Sequence, residues 1–183
     1  MNETRTESPT IRLATPTDAL AIARVHVDSW RATYRGIVPK AYLDALSYAE
    51  RSIQWEEILN GKLGRSNVFV AIADERIAGF SSGGPIRDSY APYVGELYSI
   101  YLHPQSQRSG LGTALAKAVA RRLSGDGLQS MLVWVLADNP ACQFYEALGA
   151  QSTPYQQTVN IGGKDLLEIA YGWPDIRVLT GGS

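Results

Sequence analysis

The chain has 183 residues, 45% of them apolar and 19% charged, enough for one domain with a sizeable core and too apolar for a disordered segment. A net charge of −1 without a block of Lys or Arg argues against a nucleic-acid or acidic-membrane surface, while leaving room for a small patch that holds one anion. Cys142 is the single cysteine, so no intramolecular disulfide can form, and with only His26 and His103 as imidazoles no metal site is expected.

Residues 1–9 are polar and lack the apolar stretch of a secretion signal. No apolar run approaches the ~20 residues that span a bilayer, so a cytoplasmic protein is expected. There is no repeat and no dividing linker. The expectation is a single domain over 10–176, between flexible tails at 1–9 and 177–183.

In chain order, residues 10–13 read as a first strand. Thr15, Pro16 and Asp18 then form a helix-start signature, with Thr15 as N-cap and Asp18 closing a capping box. Leu20, Ala23, Val27, Trp30 and Tyr34 follow at helical spacing, and Gly36 ends the run. Pro39 opens a second helical stretch, and a third covers about 48–59. Residues 68–73 and 77–81 flank a hairpin turn at Asp74-Glu75-Arg76. A longer strand, 94–102, stops at His103-Pro104. A helix over about 110–123 carries Leu111, Leu115 and Val119 on one face. An apolar strand, 131–136, is followed by a helix that Asn139-Pro140 starts and Gly149 ends. Strands at 153–161 and 165–173 form a closing hairpin around Gly162-Gly163. The predicted order is β-α-α-β-β-β-α-β-α-β-β, an α/β fold with a mixed, mostly antiparallel sheet flanked by helices. The helical crossover between 94–102 and 131–136 makes that pair parallel.

Gln107-Arg108-Ser109-Gly110-Leu111-Gly112 lies between a strand and the first turn of a helix. Glycines there let backbone N–H groups approach a ligand, and the helix start adds free donors and the positive end of its dipole. The result is an anion cradle suited to a pyrophosphate, with Arg108 able to add a charge-assisted contact. The competing reading is a plain tight turn. A Rossmann loop would need a third glycine where Leu115 stands, and a Walker loop would need Gly-Lys-Ser/Thr, which is absent.

Gln-x-x-Gly-x-Gly after a strand ending in His103-Pro104 resembles the acetyl-CoA motif of the GNAT superfamily of N-acetyltransferases. The segment from Asn139 to Gly149, with Phe144-Tyr145-Glu146, is similar to that superfamily's second signature, and the predicted topology matches from about residue 10 to 173. The resemblance implies transfer of an acetyl group from acetyl-CoA to a primary amine of a small molecule or peptide, by direct attack in a ternary complex; composition adds no metal, nucleic acid or membrane partner, and the last strands leave a homodimer open. It implies that Ile100, Tyr101 and Leu102 offer backbone groups to the pantetheine arm. Gln107, Arg108, Ser109, Gly110, Leu111, Gly112 and Thr113 would hold the pyrophosphate. Asn139 would contact the pantetheine, Glu96 would act as general base, and Tyr145 would protonate the leaving thiolate. Tyr34, Arg35, Tyr90 and Tyr93 would border the acceptor. The step from Asn139 to Tyr145 is one residue shorter than in many members.

Each of these residues also has a plainer reading. Asn139 serves equally as an N-cap before Pro140. Tyr145 could be core, and Glu96 a strand-end carboxylate. Trp30 and Cys142 read as packing residues and His103 as a loop residue. Two other activities compete: a non-catalytic acyl-CoA-binding module, and a serine hydrolase on Gly79-Phe80-Ser81-Ser82-Gly83. The hydrolase reading lacks the helix that must follow a nucleophile elbow, because Gly84-Pro85 comes next.

Overall fold

A computed structural model describes residues 10–62 and 66–181. The elements are β1 (Thr10–Leu13), α1 (Ala19–Thr33), α2 (Lys40–Ala45), α3 (Tyr48–Leu59), β2 (Asn67–Ala73), β3 (Arg76–Tyr90), β4 (Tyr93–Leu102), α4 (Leu111–Gly125), β5 (Met131–Leu136), α5 (Ala141–Ala147), β6 (Gln151–Ile161), β7 (Lys164–Trp173) and α6 (Arg177–Thr180). The seven strands form one sheet in the order β1-β2-β3-β4-β5-β7-β6. Every neighbouring pair is antiparallel except β4 and β5, where α4 provides the crossover.

Alternation along the strands sends side chains to both faces, and helices cover each. On one face, Val68, Val70 and Phe80 pack against Ile22 and Ala23 of α1 and Trp55 of α3. On the other, Ala71 and Ala78 meet Leu111 and Leu115 of α4, while Leu97, Val133 and Val135 meet Val119, Leu123 and Tyr145. Burying a side chain such as Phe80 stabilises the fold by about 1.5–3 kcal/mol.

The start of α1 follows its sequence signature. Thr15 and Asp18 close the capping box, and Asp18 also pairs with Arg12 of β1 at 2.7 Å. The expected apolar stripe holds at Ala23, Val27 and Tyr34, all buried, and at half-buried Trp30; only Leu20 departs, 46% exposed. Ile22 and Val25 are buried as well, because α1 packs on both the sheet and α3.

Three expectations are corrected. All three helical stretches read between β1 and β2 form, so the predicted element order is one helix short there. β3 runs on to Tyr90 instead of stopping at Ser81. Gly83 does not break it, because a Cβ there would lie 2.5 Å from Val119 Cγ1 and 2.8 Å from the Glu96 carbonyl, so α4 needs a glycine at this contact. Residues 177–180, expected as part of a tail, form α6, with Leu179 buried in the core beside α4. The expected tail at 1–9 lies outside the described residues.

Candidate active site

The sheet opens at its centre. β4 and β5 are paired only where Gly95, Glu96 and Leu97 meet Met131, Leu132 and Val133. Beyond that, β4 keeps only β3 as partner and β5 only β7. Half of the backbone N–H and C=O groups of residues 98–102 therefore face a gap with no strand to receive them. The gap widens into a cleft of about 1160 Å³ bounded by β4, β5, the starts of α4 and α5, the end of α1 and the end of β3.

At one end of the cleft lies the start of α4. Gly110 takes the left-handed conformation (φ 83°) that lets the chain turn into the helix, and a Cβ there would meet nothing within 4 Å. The first helical bond runs from the Ala114 N–H to the Gly110 carbonyl at 3.1 Å, leaving the Leu111, Gly112 and Thr113 N–H groups without an intrahelical acceptor. Gln107, Arg108, Gly110, Gly112 and Thr113 line the cleft. Ser109 and Leu111 do not. The Ser109 hydroxyl donates to the Ser106 carbonyl at 2.6 Å, and Leu111 is buried in the core. Gly112 is explained differently from its sequence reading, because a Cβ there would sit 3.2 Å from the Phe144 ring instead of entering open cleft.

Around the middle of the cleft, three tyrosines converge. Tyr34 comes from the end of α1, Tyr101 from β4 and Tyr145 from α5, and all three line the cavity. Asn139 caps α5, as its N-cap reading expects, and also reaches into the cleft. Its Oδ1 accepts from the Ala141 N–H at 2.9 Å, a capping bond, while its Nδ2 donates to Tyr34 Oη at 3.3 Å inside the cleft. Burial pushes the phenols of Tyr34, Tyr101 and Tyr145 above their ordinary value, so all three are protonated at neutral pH. Tyr145 lines the cleft, and no hydrogen bond to its hydroxyl is found among the described residues. Burial also pushes the Cys142 thiol up, which keeps it from being a thiolate nucleophile.

At the far end is Glu96, 2% exposed, on the part of β4 that still pairs with β5. Arg87 folds back over it from a stretch of β3 where the ladder with β4 lapses between Pro85 and Tyr90. The Arg87 backbone N–H donates to Glu96 Oε2 at 3.1 Å, Nε lies 3.1 and 3.2 Å from the two carboxylate oxygens, and Nη2 donates to Oε1. Tyr90 lines the same end, edge-on to Trp134 with ring centroids 5.3 Å apart. Arg35 is exposed and outside the cleft lining, and Tyr93 is core, its ring filling the space that Gly172 leaves. Sequence reading missed Arg87, Asp88, Tyr98, Trp134, Gln157 and Glu168, all of which line the cleft.

Ser81 is no nucleophile. It is fully buried within β3, paired with Phe69 and Ile100, and its hydroxyl donates to the Leu115 carbonyl at 3.2 Å.

Comparison with known proteins agrees with this architecture. The FR47-like protein family matches residues 86–159. The chain is 43% identical over 173 residues to the uncharacterised N-acetyltransferase YuaI of Bacillus subtilis, covering 93% of this chain and 95% of that one. A GCN5-related N-acetyltransferase from Rhodopseudomonas palustris superposes with a TM-score of 0.71 at 22% identity, covering 93% of this chain and 98% of the other. The PaiA N-acetyltransferase of Thermoplasma acidophilum, solved in complex with coenzyme A, gives 0.69 at 22% identity over 88% and 98% of the two chains. With the parted central strands, the open helix start and the full-length relationship to YuaI, this chain belongs to the GNAT superfamily and is an acetyltransferase.

Proposed function

We propose that the protein transfers the acetyl group of acetyl-CoA to a primary amine by direct attack, with both substrates held in the one cleft. The observation that carries this reading is the gap between β4 and β5, which leads from the open start of α4, past Tyr145, to Glu96. The donor fits this gap. The free N–H groups at the start of α4 and the Arg108 side chain suit its pyrophosphate. The unpaired backbone of residues 98–102 suits its pantetheine amides, and the coenzyme A of the PaiA complex supports the same donor class.

In this mechanism, backbone N–H groups of β4 polarise the thioester carbonyl and receive the negative charge that develops on its oxygen. The amine nitrogen bonds to the carbonyl carbon as the carbon–sulfur bond breaks. Glu96 takes the proton that the amine loses, directly or through water, and Tyr145 supplies a proton to the departing sulfur. Its burial keeps Tyr145 protonated, so it is always ready to donate. Holding both reactants in line supplies much of the acceleration.

The test is thiol release from acetyl-CoA across a panel of amines, with initial rates measured over a grid of both substrates. Intersecting double-reciprocal lines are expected. Parallel lines would indicate an acetyl-enzyme intermediate and refute direct attack.

A further inference from the structure

Acetyl transfer to a simple amine does not require Arg87, yet its guanidinium is the best-anchored charged group at the acceptor end of the cleft. One edge is engaged with Glu96 through Nε and Nη2. One face covers the Tyr98 ring, with the guanidinium carbon 4.9 Å from the ring centroid. Nη1 has no hydrogen-bond partner among the described residues. The Arg87 side chain is 62% exposed, whereas that of Glu96 beneath it is 2% exposed. A guanidinium fixed on one edge and one face, with the remaining edge open to a cleft, is arranged to receive a planar oxyanion.

We propose that Arg87 binds a carboxylate that the acceptor carries beside its amine, so that the acceptor is an amino acid or a close analogue. This rests on the acetyl-transfer reading above and adds the substrate class. A zwitterion matches the Arg87–Glu96 pair charge for charge, its carboxylate on the open edge of the guanidinium and its ammonium toward Glu96. Glu168, which lines the same end and accepts from Gln157 Nε2 at 2.9 Å, adds a second carboxylate for the ammonium. A polyamine would find carboxylates in Asp88, Glu96 and Glu168 but, like any amine without an anionic group, would leave the open edge of Arg87 empty. Trp134, Tyr90 and Tyr98 give the acceptor's side chain an aromatic wall, which favours apolar amino acids.

The experiment compares kcat/KM at saturating acetyl-CoA for phenylalanine and leucine with phenylalaninamide and leucinamide, with benzylamine and spermidine as acceptors that lack a carboxylate. Intrinsic chemistry favours the amides, because a neighbouring carboxylate holds an amino acid's ammonium protonated to higher pH. A preference for the acids therefore reports recognition. The wild type is expected to prefer the acids at least about tenfold. Arg87→Ala should bring the acid-to-amide ratio to about one. Arg87→Lys, which keeps a charge over buried Glu96 and so protects the fold, should retain only part of the preference. Equal turnover of acids and amides by the wild type would overturn the proposal, as would an Arg87→Ala variant that lowers both in proportion. Turnover of benzylamine or spermidine with none of the acids would discard the carboxylate site and leave acetyl transfer standing. No turnover of any of these acceptors, with acetyl-CoA bound by calorimetry, would overturn the amino-acid proposal and leave acetyl transfer to the wider amine panel above.

Discussion

Asn139 and Tyr34 stand 105 positions apart in the chain and are joined by a hydrogen bond of 3.3 Å from the Asn139 amide to the Tyr34 hydroxyl. The same side chain caps the start of α5 through Ala141, so one residue fixes the end of α1, the start of α5 and the wall of the cleft between them.

Asn139→Ala removes both bonds and should cost about 1–2 kcal/mol. In a chain of this size, thermal denaturation should show a melting temperature lowered by roughly 2–8 °C. Asn139→Asp keeps the capping oxygen and loses the amide donor, so about half of the loss is expected. An unchanged melting temperature in both variants would mean that the contact does not hold the two helices.

A Cβ on Gly112 would lie 3.2 Å from the Phe144 ring, and Phe144 itself lines the cleft. Gly112→Val should push the ring and the start of α4 apart, lowering stability by about 1–3 kcal/mol. It should also weaken acetyl-CoA binding at least about tenfold by calorimetry, or ~1.4 kcal/mol. Full stability with weakened binding would restore the phosphate-cradle explanation of this glycine.

Glu96→Gln keeps the shape of the side chain and removes the base. The rate should fall at neutral pH and recover in part at high pH, where more of the amine is already deprotonated. A pH–rate profile like that of the wild type would place the base elsewhere.

Asp18 is held at a pKa of about 2, below its ordinary value, first by the hydrogen bond from Arg12 and then by the Thr15 backbone and hydroxyl, against the opposing effect of burial. A carboxyl whose folded pKa is depressed contributes stability that is fully present above its unfolded pKa, near 4, and lost as pH falls toward 2. Denaturant unfolding between about pH 4 and pH 2 should therefore lose less stability in Asp18→Asn than in the wild type. Equal slopes would show that the Arg12–Asp18 pair is thermodynamically silent.

The parts of the fold that were legible in sequence are those that local chemistry decides. Thr15 and Asp18 close the capping box ahead of α1, and the unbroken apolar run of β5 marks a strand buried on both faces. β3 was not legible beyond Ser81, because Gly83-Gly84-Pro85 reads as a break in any linear scan. The glycine that looks like a breaker is required by α4 packing across the sheet, a contact between residues far apart in sequence. Losing the second half of β3 also hid Arg87, since only the hairpin register, with Pro85 opposite Gly95, returns it over Glu96. Glu96, Asn139 and Tyr145 were legible because they fall on or beside motifs. Arg35 and Tyr93 were misplaced because proximity in sequence to a cleft residue does not decide which side of a strand or loop a side chain leaves from.

The central claim is that Tyr145 donates to the leaving sulfur, and the most direct test is the single-turnover rate of acetyl transfer in Tyr145→Phe. Removing only the hydroxyl leaves the ring in its packing against Phe144 and Trp173, so folding and acetyl-CoA affinity should be retained. The single-turnover rate should fall by roughly ten- to a thousandfold, the loss expected when general-acid help is removed. A Tyr145→Phe enzyme that transfers its acetyl group at the wild-type single-turnover rate would contradict the account, and would make the hydroxyl a bystander in the cleft.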